Sequence, residues 1–233
     1  MVERRQLERS RDAFRLTPTR PECEATNWDG FRVEAIPWRT YVKRNLIHLN
    51  LLGATLRRAR GAVLEVGVGS GALSALMSWF HGRTMTIDND ARILGVARRN
   101  LERYGRGVLG VRGDAFALPF HRDTFAVAFS QGLMEHFSDD SIALLLREQL
   151  RVARSVVFSV PSDHYPRQDV GDERLMSPDA WSEIVQRGVR GAYRVRASYY
   201  RLDLEAAKYS LLARRRLGSF SVLVTVDPLA QDR

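Results

Sequence analysis

The sequence predicts an α/β fold, a doubly wound parallel sheet with helices on both faces, and three observations carry that expectation. Apolar runs of strand length alternate with segments of helical periodicity between residues 62 and 160. The first run ends in a glycine-rich turn, Gly67-Val68-Gly69-Ser70-Gly71, that opens into a helix. The chain's 233 residues suffice for one such domain with a short appendage.

Residues 1–37 carry turn and aromatic signals (Pro18, Pro21, Trp28, Pro37) and read as a short helix followed by an irregular arm. From Trp38 to Arg60 the apolar Tyr41, Val42, Leu46, Leu49, Leu52 and Leu56 recur at helical spacing, and Gly61 follows as a stop. Ala62–Val66 is the first strand. Leu73, Leu76, Met77 and Phe80 mark one face of the next helix, which ends at Gly82. Arg83–Ile87 is the second strand, Ala91–Tyr104 a helix, and Val108–Arg112 and Phe125–Ser130 strands three and four. A helix over Ser141–Val152 leads to strand five, Ser155–Val160, closed by Pro161. Beyond a polar loop, Ser177 and Pro178 are placed as N-cap and first residue of another helix. Tyr193–Tyr199 and Phe220–Val226 read as an antiparallel edge, joined by a helix over Leu202–Arg216. The domain division is an arm and helix at 1–60, expected as a lid, and a cofactor domain at 61–233.

Composition narrows the class. No apolar run approaches the ~20 residues of a membrane span, and Met1–Arg15 lacks the apolar stretch of a secretory signal, so a cytoplasmic enzyme with no membrane partner is expected. Cys23 is the only cysteine, which excludes an internal disulfide and any multi-cysteine metal site. The net charge of +9 is uneven along the chain. Residues 1–60 hold 13 basic and 7 acidic side chains, residues 61–186 hold 13 and 16, and residues 187–216 hold 9 and 2. Positive charge at the two ends suits an anionic substrate or RNA at the rim of a site.

A strand that ends in Gly-x-Gly and opens a helix lets the backbone approach a ligand while helix N–H groups face it. The same spacing, Gly67-x-Gly69-x-x-Ala72, also satisfies the dinucleotide fingerprint of NAD and FAD enzymes. Three acids tip the choice. Glu65 precedes the first glycine where NAD folds carry a small or apolar residue. Asp88, at the end of strand two, is placed to accept from both ribose hydroxyls. Asp114 follows strand three, where a carboxylate receives an adenine amino group.

The string Val63-Leu64-Glu65-Val66-Gly67-Val68-Gly69-Ser70-Gly71 resembles motif I of class I S-adenosylmethionine-dependent methyltransferases. Thr86-Ile87-Asp88-Asn89-Asp90 resembles their ribose motif, and Arg112-Gly113-Asp114-Ala115 their adenine motif. Phe125–Phe137, with Ser130-Gln131-Gly132-Leu133-Met134-Glu135-His136, is similar to the fourth motif of the small-molecule branch that includes quinone C-methyltransferases. The resemblance implies a seven-stranded sheet ordered 3-2-1-4-5-7-6 with the last strand antiparallel. It also implies S-adenosylmethionine as cofactor, held by Glu65, Gly67, Gly69, Gly71, Asp88, Asn89, Asp114, Ala115 and Ser130. The Asn/Asp-Pro-Pro-aromatic run of base amino-methyltransferases is missing at Ser130–Leu133. Cys23 in the arm does not fit pyrimidine C5 chemistry, and Phe129-Ser130 stands where magnesium-dependent enzymes place an aspartate, so no metal is expected.

Methyl transfer needs an aligned nucleophile, excluded water and a place for the nucleophile's proton. A histidine is the natural acceptor. His136 after strand four and His164 after strand five are the two candidates, while His48, His81 and His121 read as structural. Trp38, Tyr41 and Tyr165 are the candidate substrate-lining residues, the first two as part of an aromatic lid with Trp28. The expected function is methylation of a small molecule, such as an aromatic or amine-bearing metabolite. The basic ends leave RNA methylation as the alternative.

Overall fold

A computed structural model describes residues 35–166, 168–169, 171–214 and 217–229. The helix and arm expected before residue 35, Trp28 with them, and Arg215 and Arg216 lie outside the described residues. Helices α1 (Trp38–Ile47) and α2 (Leu49–Leu56) precede the alternating core. That core runs β1 (Val63–Val66), α3 (Ala72–Phe80), β2 (Thr84–Asp88), α4 (Ala91–Tyr104), β3 (Leu109–Arg112) and β4 (Phe125–Gln131). A 3₁₀ turn at Met134–His136 leads into α5 (Asp139–Val152), β5 (Ala153–Pro161) and α6 (Pro178–Gly188). The chain then forms β6 (Tyr193–Tyr199), α7 (Leu204–Ala213) and β7 (Ser221–Pro228).

All seven strands join one sheet in the order β3-β2-β1-β4-β5-β7-β6. β1 lies parallel to β2 and β4, β2 to β3, and β4 to β5. β7 runs antiparallel to both β5 and β6. The expected order and edge are therefore present.

Strand alternation sorts side chains between two apolar layers. Val156, Phe158 and Val160 of β5 join Leu64 and Val66 of β1 in the layer under α5 and α6, where Ile142, Leu145 and Trp181 are fully buried. Val157 of β5 points the other way, with Val63, Val127 and Phe129, toward Leu51 and Leu52 of α2 and Leu73 and Met77 of α3. Covered on both faces, β1 is buried at all four positions, so its sequence is a continuous apolar run broken only by Glu65.

Helix starts follow side-chain chemistry. Asp90 caps α4 by accepting from the backbone N–H groups of Arg92 and Ile93, at 2.7 and 3.2 Å. Ser177 caps α6 as expected, accepting from Ala180 N–H, with Pro178 in the first turn.

Three expectations change. The single helix over 38–60 is two helices, because His48 leaves helical geometry at φ −100° and ψ 23°. The phase survives the break, since His48 N–H still donates to Arg44 O and Leu52 N–H to His48 O, so hydrophobic spacing alone does not reveal it. Phe80, assigned to the buried face of α3, is 66% exposed. The helix expected over 202–216 runs Leu204–Ala213 as α7, with Leu211 and Leu212 exposed and Ala206 buried.

Candidate active site

The C-terminal ends of β1, β2, β4 and β5, with the turn after β3, converge on a cavity of about 500 Å³. It opens where the strand order reverses between β1 and β4, the place at which α/β sheets bind ligands. The volume falls in the range of about 300–1,000 Å³ of small-molecule clefts.

The glycine turn forms one wall. Gly67 and Gly69 line the cavity with φ of 77° and 50°, a left-handed region that residues with a Cβ avoid. Gly71 N–H closes the turn on Val68 O at 2.8 Å. Gly71 itself does not line the cavity: it starts α3, and a Cβ there would stand 3.2 Å from Ala97 O and Leu101 Cγ of α4. Fully buried Asn100 fastens the turn by donating to Ser70 O at 2.8 Å, while its Oδ1 accepts from Ile36 N–H at 3.0 Å.

Three acids expected in the site stand on its wall. Glu65 is 2% exposed and accepts from the Ser74 hydroxyl. Burial pushes its carboxyl up to about 8, the Asp88 carboxylate adds to the rise, and the hydrogen bonds from Ser74 oppose it. Asp88 Oδ2 accepts from Val68 N–H at 3.1 Å and Oδ1 from Asp90 N–H at 3.0 Å, so one carboxylate ties the glycine turn to the head of α4. Burial raises its pKa above the ordinary value, against the pull of these backbone donors. Asp114 accepts from Phe116 N–H at 2.9 Å, and Asn89 and Ala115 line the cavity beside the two aspartates.

Other expected residues are placed elsewhere. Ser130 is fully buried within β4 and does not line the cavity; Gln131, one residue on, does. His164 is exposed and stacks on Tyr199 of β6 with ring centroids 4.9 Å apart, away from the cavity wall. Tyr41 is buried against Tyr104 of α4, stacked at 4.4 Å. Trp38 is 60% exposed and lines a separate cavity of about 440 Å³ between α1 and α7. The aromatic pair thus packs α1 on the core instead of covering the site. Tyr165 does line the cavity, edge-on to Phe220, with its hydroxyl 3.0 Å from Asp169 Oδ2.

His136 reaches the wall from the 3₁₀ turn, its side chain 4% exposed. Its Nδ1 lies 2.7 Å from Asp172 Oδ1. A carboxylate partner makes Nδ1 the donor and Nε2 the basic nitrogen. Asp172 and Glu173 also each bring a potential metal-ligand atom within 4.8 Å of one on His136, a grouping the sequence expectation of no metal did not include.

Sequence reasoning missed three wall residues. Arg44 of α1 donates from Nη1 to Ser70 Oγ at 3.1 Å, bringing a guanidinium to the glycine turn. His48 lines the cavity, contrary to its structural assignment. Burial, then the Arg44 guanidinium, push its imidazole down to about 4, with Asp203 pulling upward. Its Nδ1 lies 3.5 Å from the Tyr200 hydroxyl, which donates to Ser159 Oγ at 2.7 Å. Glu135, 2% exposed, has its carboxyl pushed up to about 8 by burial, with Glu173 and Asp172 contributing.

The charge asymmetry of the sequence takes a definite place in the sheet. β6 runs parallel in sense to β5, so Arg194 near its start lies toward the end of the sheet opposite the cavity, while Arg196 lies at mid-strand, level with Val157 of β5. Arg57, Arg58 and Arg60, just ahead of β1, are at that same far end, where Arg58 holds Asp227 through two 2.5 Å hydrogen bonds.

Residues 63–155 match a family model described as a methyltransferase domain. No curated protein matches the sequence. Among similar solved structures, a protein from Pyrococcus horikoshii superposes with a TM-score of 0.64 at 15% identity, over 87% of this chain and 98% of that one. Magnesium protoporphyrin IX methyltransferase from Synechocystis, solved with bound SAH, gives 0.58 at 10% identity, over 85% and 91%. A small RNA methyltransferase gives 0.61 at 14% identity, over 87% of this chain and 27% of that one. At such identities the structural likeness is one of fold, and the matched domain adds the chemistry. The chain is an S-adenosylmethionine-dependent methyltransferase with the class I, Rossmann-like architecture.

Proposed function

We propose that the protein methylates a small molecule bound in the cavity at the strand ends. The observation that carries this reading is the lining: a glycine turn and three spaced acids on one side, and Tyr165, His136 and Glu135 on the other. One pocket of about 500 Å³ thus offers a cofactor half and an acceptor half.

The cofactor half fits S-adenosylmethionine. Asp88, with Asn89 beside it, takes the ribose hydroxyls, and Asp114 with Ala115 takes the adenine amino edge. The glycine turn admits the chain close to its backbone, and Arg44 faces the methionine carboxylate. Glu65, held up to about 8 by burial under the turn, would be favoured in its ionised form by a cationic ligand there. When bound, the cofactor supplies a methyl group already activated by its sulfonium. What remains for the protein is to align the acceptor, exclude water and receive a proton. His136, its tautomer fixed by Asp172, is the proton acceptor, and Tyr165 shapes the acceptor half.

RNA is the rival substrate, with the net charge of +9 and the likeness to a small RNA methyltransferase behind it. Against it stand the acid-rich cavity wall and the place of Arg194 toward the opposite end of the sheet. The resemblance to quinone C-methyltransferases rests on Phe125–Phe137 and enters this reading only as membership of the small-molecule class. Among the described residues no helix is long and apolar enough to cross a membrane.

The test is to incubate the protein with methyl-labelled cofactor, a metabolite extract and total RNA. Label in small molecules, with binding of S-adenosylhomocysteine and not NAD by calorimetry, is expected. Label confined to RNA, or NAD binding without response to either adenosyl ligand, overturns the reading.

A further inference from the structure

The acceptor half of the cavity is acidic in a chain whose net charge is +9. Beyond the three acids assigned to the cofactor, Glu135, Asp169, Glu173 and Glu205 also line it. Apart from the imidazoles of His48 and His136, Arg44 is the one cationic side chain among the described wall residues, and it bonds Ser70 at the glycine turn.

Glu135 differs from its neighbours in one respect. It is 2% exposed, and its Oε2 meets no hydrogen-bond partner among the described residues. A buried carboxyl oxygen without a donor is a cost that folding alone has no reason to retain. Glu135 is among the residues that line the cavity, so a donor for its carboxyl can come from a ligand on that side.

We propose that the acceptor substrate is a small amine and that Glu135 binds its amino group. An amino group offers N–H donors and, when protonated, a positive charge, which complements an unmet carboxyl oxygen among further acids. A carboxylate or phosphate substrate would face Asp169, Glu173 and Glu205 on this side. The proposal rests on the methyltransferase reading and narrows its substrate class.

The experiment uses matched probe sets in which only the head group changes: 2-phenylethylamine, 2-phenylethanol and phenylacetate, with indole and butyl counterparts. Binding to the full chain is measured by ligand-observed NMR and calorimetry, with and without saturating S-adenosylhomocysteine. In at least one set the amine should bind about tenfold or more tightly than its neutral and anionic partners. Glu135→Gln should remove that preference while thermal unfolding and S-adenosylhomocysteine affinity stay as in wild type. The proposal is overturned if no set favours the amine, or if the preference survives in both Glu135→Gln and Glu135→Leu. A tenfold loss of S-adenosylhomocysteine affinity in Glu135→Gln overturns it too, because Glu135 then serves the cofactor. The wild-type preference reads the proposal without any variant. Failure of wild type to bind S-adenosylhomocysteine strikes the methyltransferase reading instead, and the cofactor-free titrations still decide for or against the amine.

Discussion

Replacing Asp88 should cost cofactor affinity by an amount its hydrogen bonds allow to be worked out. Its two carboxylate oxygens accept from Val68 and Asp90 N–H groups at 3.1 and 3.0 Å, Asn89 N–H also bears on the carboxylate, and Asp88 lines the cavity. Hydrogen bonds to a charged acceptor are worth about 1.5–3 kcal/mol. Asp88→Ala should therefore raise the dissociation constant of S-adenosylhomocysteine about 10- to 150-fold. The same change leaves two backbone N–H groups without partners, so part of any loss could come from a loosened glycine turn. A ligand cycle separates the two. Wild type should discriminate against a 2′-deoxyribose analogue, and Asp88→Ala should treat the analogue and the parent ligand alike. Calorimetry on protein with a cooperative thermal transition supplies all four constants. Equal discrimination in wild type and variant would refute the ribose role and leave Asp88 as a fastener of the turn.

Arg44→Met should weaken binding of S-adenosylhomocysteine about tenfold or more and leave adenosine binding nearly unchanged, because only the methionine carboxylate is lost; equal losses for both ligands would reassign Arg44 to holding Ser70. Glu65 and Glu135 have folded pKa values of about 8, above their unfolded values, so the folded state binds more protons between about 4.5 and 8. Stability of the ligand-free protein from these groups is therefore full below pH 4.5 and declines as pH rises through 8; a melting temperature that climbs over this interval would contradict it. His136→Gln should lower turnover about 100-fold with little change in cofactor affinity, whereas His164→Gln, away from the cavity, should leave both near wild type. Near-normal turnover in His136→Gln would leave alignment as the whole of the protein's contribution.

Local chemistry made most of the core legible. Helix α4 begins at Ala91 and ends at Tyr104 as read from sequence, because Asp90 is a strong cap and the apolar spacing lapses at Gly105. The three acids proposed for the cofactor were visible because each lies just after, or within, a strand whose apolar run is short and clean. The acceptor half was not, since its members are defined by pairings remote in sequence. Tyr41 stacks on Tyr104 and His164 on Tyr199, and neither pairing leaves a local pattern. His164 follows the correct strand end, yet β6 returning beside β7 gives its ring a surface to lie on outside the pocket. Glu135 looks like any polar residue after a strand until the turn that carries it closes over it.

Charge shows the same divide between amount and place. Counting by segment finds a basic excess near both ends of the chain, and that excess suggested an anionic ligand at the site. A parallel sheet, however, has two unlike ends, and a segment that crosses it contributes to both. Arg57, Arg58 and Arg60 precede β1, and Arg194 is the second residue of β6, so the strand directions carry these cations to the end away from the cavity, whereas Arg201 and Lys208 follow β6. Glu135, Asp169 and Glu173 follow β4 and β5, so the same directions carry these acids to the cavity. Which side of each strand a charge falls on thus decides whether it meets the cavity or the far end of the sheet.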